Sequence, residues 1–92
     1  MHVEHDESQK RFYTTIDGMV ARLEYGVAGP DTLEYYSTFV PPELRGQGVA
    51  RRLAKEALDY ALARQKRVIP SCWFVQKVMD EERVYDPLRI ES

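Results

Sequence analysis

The chain has 92 residues, of which 43% are hydrophobic and 30% charged, and its formal net charge is -2. A length of this order holds one domain with one core, burying roughly 60–65% of the surface that the unfolded chain exposes. The charge balance disfavours generic nucleic-acid binding, which needs a basic surface, and no apolar run approaches the roughly 20 residues that span a bilayer.

The first residues, Met1-His2-Val3-Glu4-His5-Asp6-Glu7-Ser8, lack the apolar centre of a signal peptide. Residues 1–9 are expected to form a disordered polar tail, and residues 10–92 the folded domain. His2 and His5 have too few companions in such a tail to hold a metal, so no metal site is expected. Cys72 is the single cysteine and has no internal disulfide partner, which points to a reducing, cytoplasmic compartment.

Residues 10–16 are rich in aromatic and β-branched types, which favours a strand. Asp17-Gly18 then supplies a two-residue hairpin turn, because both positions tolerate positive φ. Met19, Ala21, Leu23 and Tyr25 alternate with Val20, Arg22, Glu24 and Gly26, the period of a half-buried strand. Ala28-Gly29-Pro30-Asp31 breaks the chain. Residues 32–40 alternate again, with Leu33, Tyr35, Ser37 and Phe39 on one face. Pro41-Pro42 ends this third strand, since proline cannot donate to a ladder.

The loop Glu43-Leu44-Arg45-Gly46-Gln47-Gly48 leads to a helix from about Val49 to Gln65. Val49, Leu53, Ala57 and Ala61, flanked by Ala50, Ala54, Leu58 and Leu62, form an apolar stripe at helical spacing. Arg51, Arg52 and Lys55 lie on its solvated side. Lys66–Pro70 reads as a short strand, and strand–helix–strand implies a parallel pairing. Ser71 is placed to cap a second helix over about 72–82, and the segment 84–90 has no clear pattern. Trp73, Phe74, Tyr25, Tyr35 and Phe39 are expected as core or near-core aromatics. The whole reads as an α+β (three-layer α/β) domain. An N-terminal antiparallel meander is followed by a helix, a short parallel strand and a C-terminal helix, in one mixed sheet.

The most informative stretch is Arg45-Gly46-Gln47-Gly48-Val49-Ala50-Arg51-Arg52. The first turn of a helix has unpaired N–H groups and a positive dipole end, a natural anion site. Glycine lets the backbone approach a phosphate with no Cβ in the way. Arg45, Arg51 and Arg52 add positive charge. The pattern is neither the lysine-bearing P-loop nor a dinucleotide fingerprint. On these residues alone, a tight glycine entry to the helix accounts for the spacing equally well.

Arg45-x-x-Gly48-x-Ala50 resembles the R/Q-x-x-G-x-G/A motif of the Gcn5-related N-acetyltransferases. The wider string from Thr38 to Ala50, with Pro70-Ser71-Cys72-Trp73-Phe74-Val75 downstream, resembles the minimal subgroup of roughly 90 residues. The resemblance spans about residues 10–86. It implies acetyl-coenzyme A as cosubstrate, held where the third strand and the strand at Arg67–Ile69 splay apart. The pantetheine arm would bond the backbone near Phe39 and Val40. The pyrophosphate would sit on the amides of Gly46, Gln47, Gly48, Val49 and Ala50, with Arg45 and Arg51 nearby.

Full-length members of that superfamily carry further helices and strands around the acceptor site, so an open acceptor cleft, or one completed by a second subunit, is expected here. The subgroup often has histidine where this chain has Ser37. Glu34, Glu43 or water are the remaining candidate bases, and Tyr85 a candidate proton donor to the thiolate or a packing residue. Cys72 is the candidate catalytic residue, as an acyl carrier at the thiol end of the cofactor. The other reading of Cys72 is a small buried residue lining the cleft.

The implied function is acetyl transfer from acetyl-coenzyme A to a protein or small amine. The alternative is a coenzyme A-binding interaction module with little or no catalysis. Neither a nucleic-acid nor a membrane partner is expected, and the chain is expected as a monomer or homodimer.

Overall fold

A computed structural model describes residues 1–90; positions 91–92 of the expected domain lie outside the described residues. Among the described residues, five strands form one sheet in the order β1 (Glu4–Asp6), β2 (Arg11–Ile16), β3 (Met19–Gly29), β4 (Thr32–Phe39) and β5 (Arg67–Pro70). The first four are antiparallel, and β4 and β5 are parallel. Helix α1 (Val49–Ala63) makes the crossover from β4 to β5, and helix α2 (Trp73–Glu81) follows β5. The architecture is the mixed α+β arrangement that the pattern predicts.

The β2–β3 hairpin closes at Asp17 and Gly18, whose φ angles of 52° and 77° are those of the expected tight turn. Inside the sheet, Phe12, Ala21, Leu23, Leu33, Tyr35 and Val68 are buried. They pack against Val49, Leu53, Ala57 and Leu58 of α1 and against Val75, Val78 and Met79 of α2. Tyr35 joins sheet to helix directly, donating its hydroxyl to the Ala57 carbonyl at 2.6 Å.

Both helices lie on one face of the sheet, where Arg51 and Lys55 of α1 reach Glu82 just past α2. The outward face presents Arg22 and Glu24, about one third exposed and paired at 3.5 Å. Two expectations are corrected, the disordered tail and the cap of α2.

The segment expected as a disordered tail carries β1, which pairs with β2. His5 stacks on Phe12 with ring centroids 4.1 Å apart. Its Nε2 lies 2.7 Å from the Tyr25 hydroxyl, and the Thr14 hydroxyl donates to the His2 carbonyl at 2.6 Å. A strand of three residues is too short to show a period, and its one inward ring is a histidine.

Helix α2 has Cys72 rather than Ser71 at its N-cap, with no side-chain cap bond. The Ser71 hydroxyl instead donates to Glu34 at 2.5 Å. Beyond α2, a 3₁₀ turn over Arg83–Leu88 brings Ile90 to β5, where its N–H donates to the Val68 carbonyl at 3.0 Å. Among the described residues, no helix is long and apolar enough to cross a membrane.

Candidate functional site

The site begins with one extra residue. Along β3 and β4, Tyr25 pairs with Tyr35 but Glu24 pairs with Ser37, so Tyr36 is a β-bulge. An extra residue reverses the alternation of faces. Before the bulge, Leu33 and Tyr35 point into the core. After it, Thr38, paired with buried Leu23, takes the inward face. Ser37 and Phe39 turn outward, contrary to the simple alternation in the sequence. Phe39 is 40% exposed, with the Arg22 guanidinium 4.9 Å from its ring centre.

The parallel pairing of β4 with β5 stops at Tyr35 and Pro70. Proline has no N–H to continue the ladder. The Cys72 amide makes the last link, donating to the Tyr35 carbonyl at 2.9 Å. Past that point a hollow of about 350 Å³ opens, lined by Thr38, Phe39, Val40, Cys72, Trp73 and Phe74 among others. A second hollow of about 210 Å³ shares Val40, Arg45, Ala50 and Phe74 with the first and extends to Gly46, Gly48 and Arg51. Together they form one groove from the gap between the strands to the start of α1.

The loop at the far end is pinned at both sides. Leu44 and Val49 are buried at 3% and 2% exposure, and the residues between them stay at the surface. Gly46 and Gly48 both have positive φ, 80° and 77°. A Cβ built on either would meet nothing within 4 Å. These glycines are needed for backbone conformation, and the space above them is free. Gly48 is the N-cap of α1 and offers no side chain to its first turn. Among the described residues, no acceptor meets the backbone N–H groups from Gly46 to Arg51. Exposed donors, a helix dipole and two Cβ-free positions converge there, the arrangement that an anion fits.

Of the residues singled out in the sequence, Phe39, Val40, Arg45, Gly46, Gly48, Val49, Ala50, Arg51 and Cys72 all border the groove. Gln47 does not, and its amide donates to the Glu43 carbonyl at 3.3 Å. Arg45 uses its Nε to tie the loop to the Val40 carbonyl at 3.0 Å. Arg51 is held by Glu81 and Glu82 at 2.7 and 2.8 Å.

Cys72 is 8% exposed, with its Sγ 3.5 Å from the Thr38 hydroxyl. Trp73, expected near the core, is 73% exposed at the rim of the groove. It occupies the first turn of α2, ahead of the apolar stripe, and its ring meets Phe74 edge-on at 5.8 Å. Thr38 and Phe74 line the groove although sequence reasoning gave them no role. For Thr38, only the bulge decides it.

Neither candidate carboxylate base borders the groove. Glu34 accepts the Ser71 hydroxyl, and Glu43 is exposed in a 3₁₀ turn. The Tyr85 hydroxyl donates to Asp59 at 2.7 Å. Burial first, then that bond, pushes its pKa up. Asp59 lies about 15 Å along α1 from Val49, so Tyr85 is a packing residue remote from the loop. A larger hollow, about 460 Å³, is lined by Asp80, Arg83, Asp86 and Arg89. Its charges are paired with one another at 2.7 and 2.8 Å. Among the described residues, no group of three or more His, Cys, Asp or Glu is placed to hold a metal.

Comparison with known proteins bears on the family and the fold. The family model described as GCN5-related N-acetyl-transferase matches residues 11–88. Protein NATD1 of Xenopus tropicalis is 34% identical over 83 residues, covering 88% of this chain and 76% of that protein. Its Bos taurus counterpart is 35% identical over 83 residues, covering 88% and 74%. An uncharacterized N-acetyltransferase of Archaeoglobus fulgidus shares 46% identity over 35 residues, 38% of this chain and 24% of that one. The fold is similar to the solution structure of a GCN5-like protein from Staphylococcus aureus, with a TM-score of 0.75 and 24% identity over 99% of this chain and 89% of that one.

Proposed function

The chain belongs to the GCN5-related N-acetyltransferase family, and from that premise we propose that it binds acetyl-coenzyme A along the groove and transfers its acetyl group to an amine. The observation that carries the reading is the pairing of a donor-rich loop at Gly46–Arg51, Cβ-free at Gly46 and Gly48, with a gap between parallel strands at Thr38 and Cys72. A diphosphate fits the first, and an extended pantetheine arm fits the second.

In this reading the amides from Gly46 to Ala50 take the diphosphate. Arg45 positions the loop through Val40. The edge of β4 at Phe39 and Val40, free of β5 beyond the bulge, offers its backbone to the pantetheine amides. The thioester lies near Thr38 and Cys72, with Trp73 and Phe74 excluding water at the rim. A neutral amine attacks the thioester carbonyl carbon, the C–N bond forms and the C–S bond breaks. The coenzyme A thiolate leaves and takes up the proton that the amine loses. A backbone N–H aimed at the carbonyl oxygen is the natural electrophile for this step.

A second reading, a coenzyme A-binding module with little catalysis, is favoured by one observation. Ser37 turns outward past the bulge, and among the described residues no carboxylate or histidine lines the groove. A general base, if used, is then water or a group on the acceptor itself. Calorimetric titration with coenzyme A tests the shared part of both readings. Acetyl-coenzyme A turnover against a panel of amines separates them. No heat of binding at millimolar coenzyme A removes both; binding without turnover leaves the second.

A further inference from the structure

The two helix ends nearest the loop carry charges opposite to those that their dipoles favour. The first turn of α1 holds Arg51 and Arg52 and no acidic residue. The end of α2 holds Glu81, with Glu82 as C-cap, and no basic residue in its last turn. Cations are disfavoured at a helix N-terminus and anions at a C-terminus. Here the two misplacements cancel across the helix pair. Arg51 Nη1 meets Glu81 Oε1 at 2.7 Å, and Nη2 meets Glu82 Oε2 at 2.8 Å. Lys55 adds a third contact to Glu82 at 3.4 Å. The bonds from Arg51 hold both carboxyl groups below the ordinary carboxylate range.

Arg51 also borders the part of the groove that lies over Gly46 and Gly48. One guanidinium thus stands between two anionic claimants, the carboxylates of α2 and whatever anion the loop takes. With the pairs intact, the cation that should assist an anion is already neutralised, and two negative charges stand behind it. We infer that Glu81 and Glu82 are affinity-setting residues for the phosphate end of the ligand, acting through Arg51: they compete with the ligand's phosphates for its guanidinium and weaken the grip in proportion to the ligand's negative charge. The inference rests on the groove being a coenzyme A site. It adds that α2, whose first residues line the thiol end of the same groove, limits how tightly the phosphate end is held.

The test is calorimetric titration of the unaltered chain and of E81Q/E82Q with coenzyme A, dephospho-coenzyme A and pantetheine. Glutamine keeps the shape and removes the charge. The double variant is expected to bind coenzyme A more tightly by about two- to tenfold, the range that two exposed charge interactions supply. Dephospho-coenzyme A should gain less, and pantetheine, with no phosphate, should not change. The gain should shrink in 0.5 M salt, where screening is strong. It should also largely disappear when Arg51→Gln is present in both backgrounds. Glu82→Gln alone should show part of the gain, and it keeps the test decisive if the double variant does not fold. Unchanged or weaker coenzyme A binding in the variants overturns the inference, as does an equal gain for pantetheine. Binding by the unaltered chain with no gain in the variants removes the inference alone. Absence of coenzyme A binding by the unaltered chain removes the reading of the groove and the inference with it.

Discussion

The Sγ of Cys72 lies 3.5 Å from the Oγ1 of Thr38, across the gap where β4 and β5 cease to pair. The two residues are 34 positions apart in the chain. They meet because the bulge at Tyr36 turns Thr38 inward while Pro70 ends the ladder beside it.

The first prediction follows from that contact. Cys72 should react slowly with a small alkylating agent, being 8% exposed, and coenzyme A should slow it further. Cys72→Ser should hold coenzyme A affinity within a few-fold, since the loop supplies the phosphate contacts. An acetylated Cys72 trapped by mass spectrometry, together with loss of transfer in Cys72→Ser, would establish an acyl carrier. Normal transfer by that variant leaves direct attack by the amine.

The bulge itself can be removed. Deleting Tyr36 makes the alternation along β4 continuous with Thr38 still inward opposite Leu23, and it removes the bend that a bulge gives its strand, which changes the wall of the groove. The expected result is retained strand signal in circular dichroism with coenzyme A binding reduced at least tenfold. Undiminished affinity in a folded deletion variant would separate the bulge from the site.

Gly48 sits at φ 77° with open space where a Cβ would project. A side chain there is strained by about 1–2 kcal/mol, and it enters the space above the loop. Gly48→Val should therefore lower stability by about that amount and abolish coenzyme A binding. Asparagine tolerates the left-handed region, so Gly48→Asn should keep most of the stability and still bind weakly. Arg52→Gln should do little to either, because Arg52 pairs with Glu56 at 3.1 Å along the helix surface. Thermal melts and titrations on the same preparations distinguish strain from blockage.

His5 gives the pH dependence. Burial, the largest cause, draws its pKa below 6.5, opposed by Glu7 and Asp6 and assisted by Arg64. The folded chain thus favours the neutral ring, which stacks on Phe12 and meets the Tyr25 hydroxyl. The unfolded chain binds a proton more readily, so this contribution is intact above pH 6.5 and is lost as pH falls through the lowered folded value. Melting temperatures of the unaltered chain should converge on those of His5→Gln as pH falls below about 6.5. Parallel curves at every pH would show that His5 does not titrate in this coupled way.

By itself the sequence determined the order of elements, because order follows from local pattern. The Asp17-Gly18 turn, the alternation in β3, the helical stripe from Val49 to Ala61 and the loop from Arg45 to Arg51 each lie within a short window. Each is read from propensity, period and backbone freedom. The tertiary structure decided what depends on pairing at a distance. The three-residue strand at His5 is stabilised by rings supplied from β2, β3 and α1, none of which a polar tail announces. The inward turn of Thr38 depends on which residues of β3 stand opposite β4, since one unpaired residue reverses every face after it. The neutralisation of Arg51 depends on the end of α2 arriving beside the start of α1, and ion pairing between positions 30 and 31 apart leaves no trace in local periodicity.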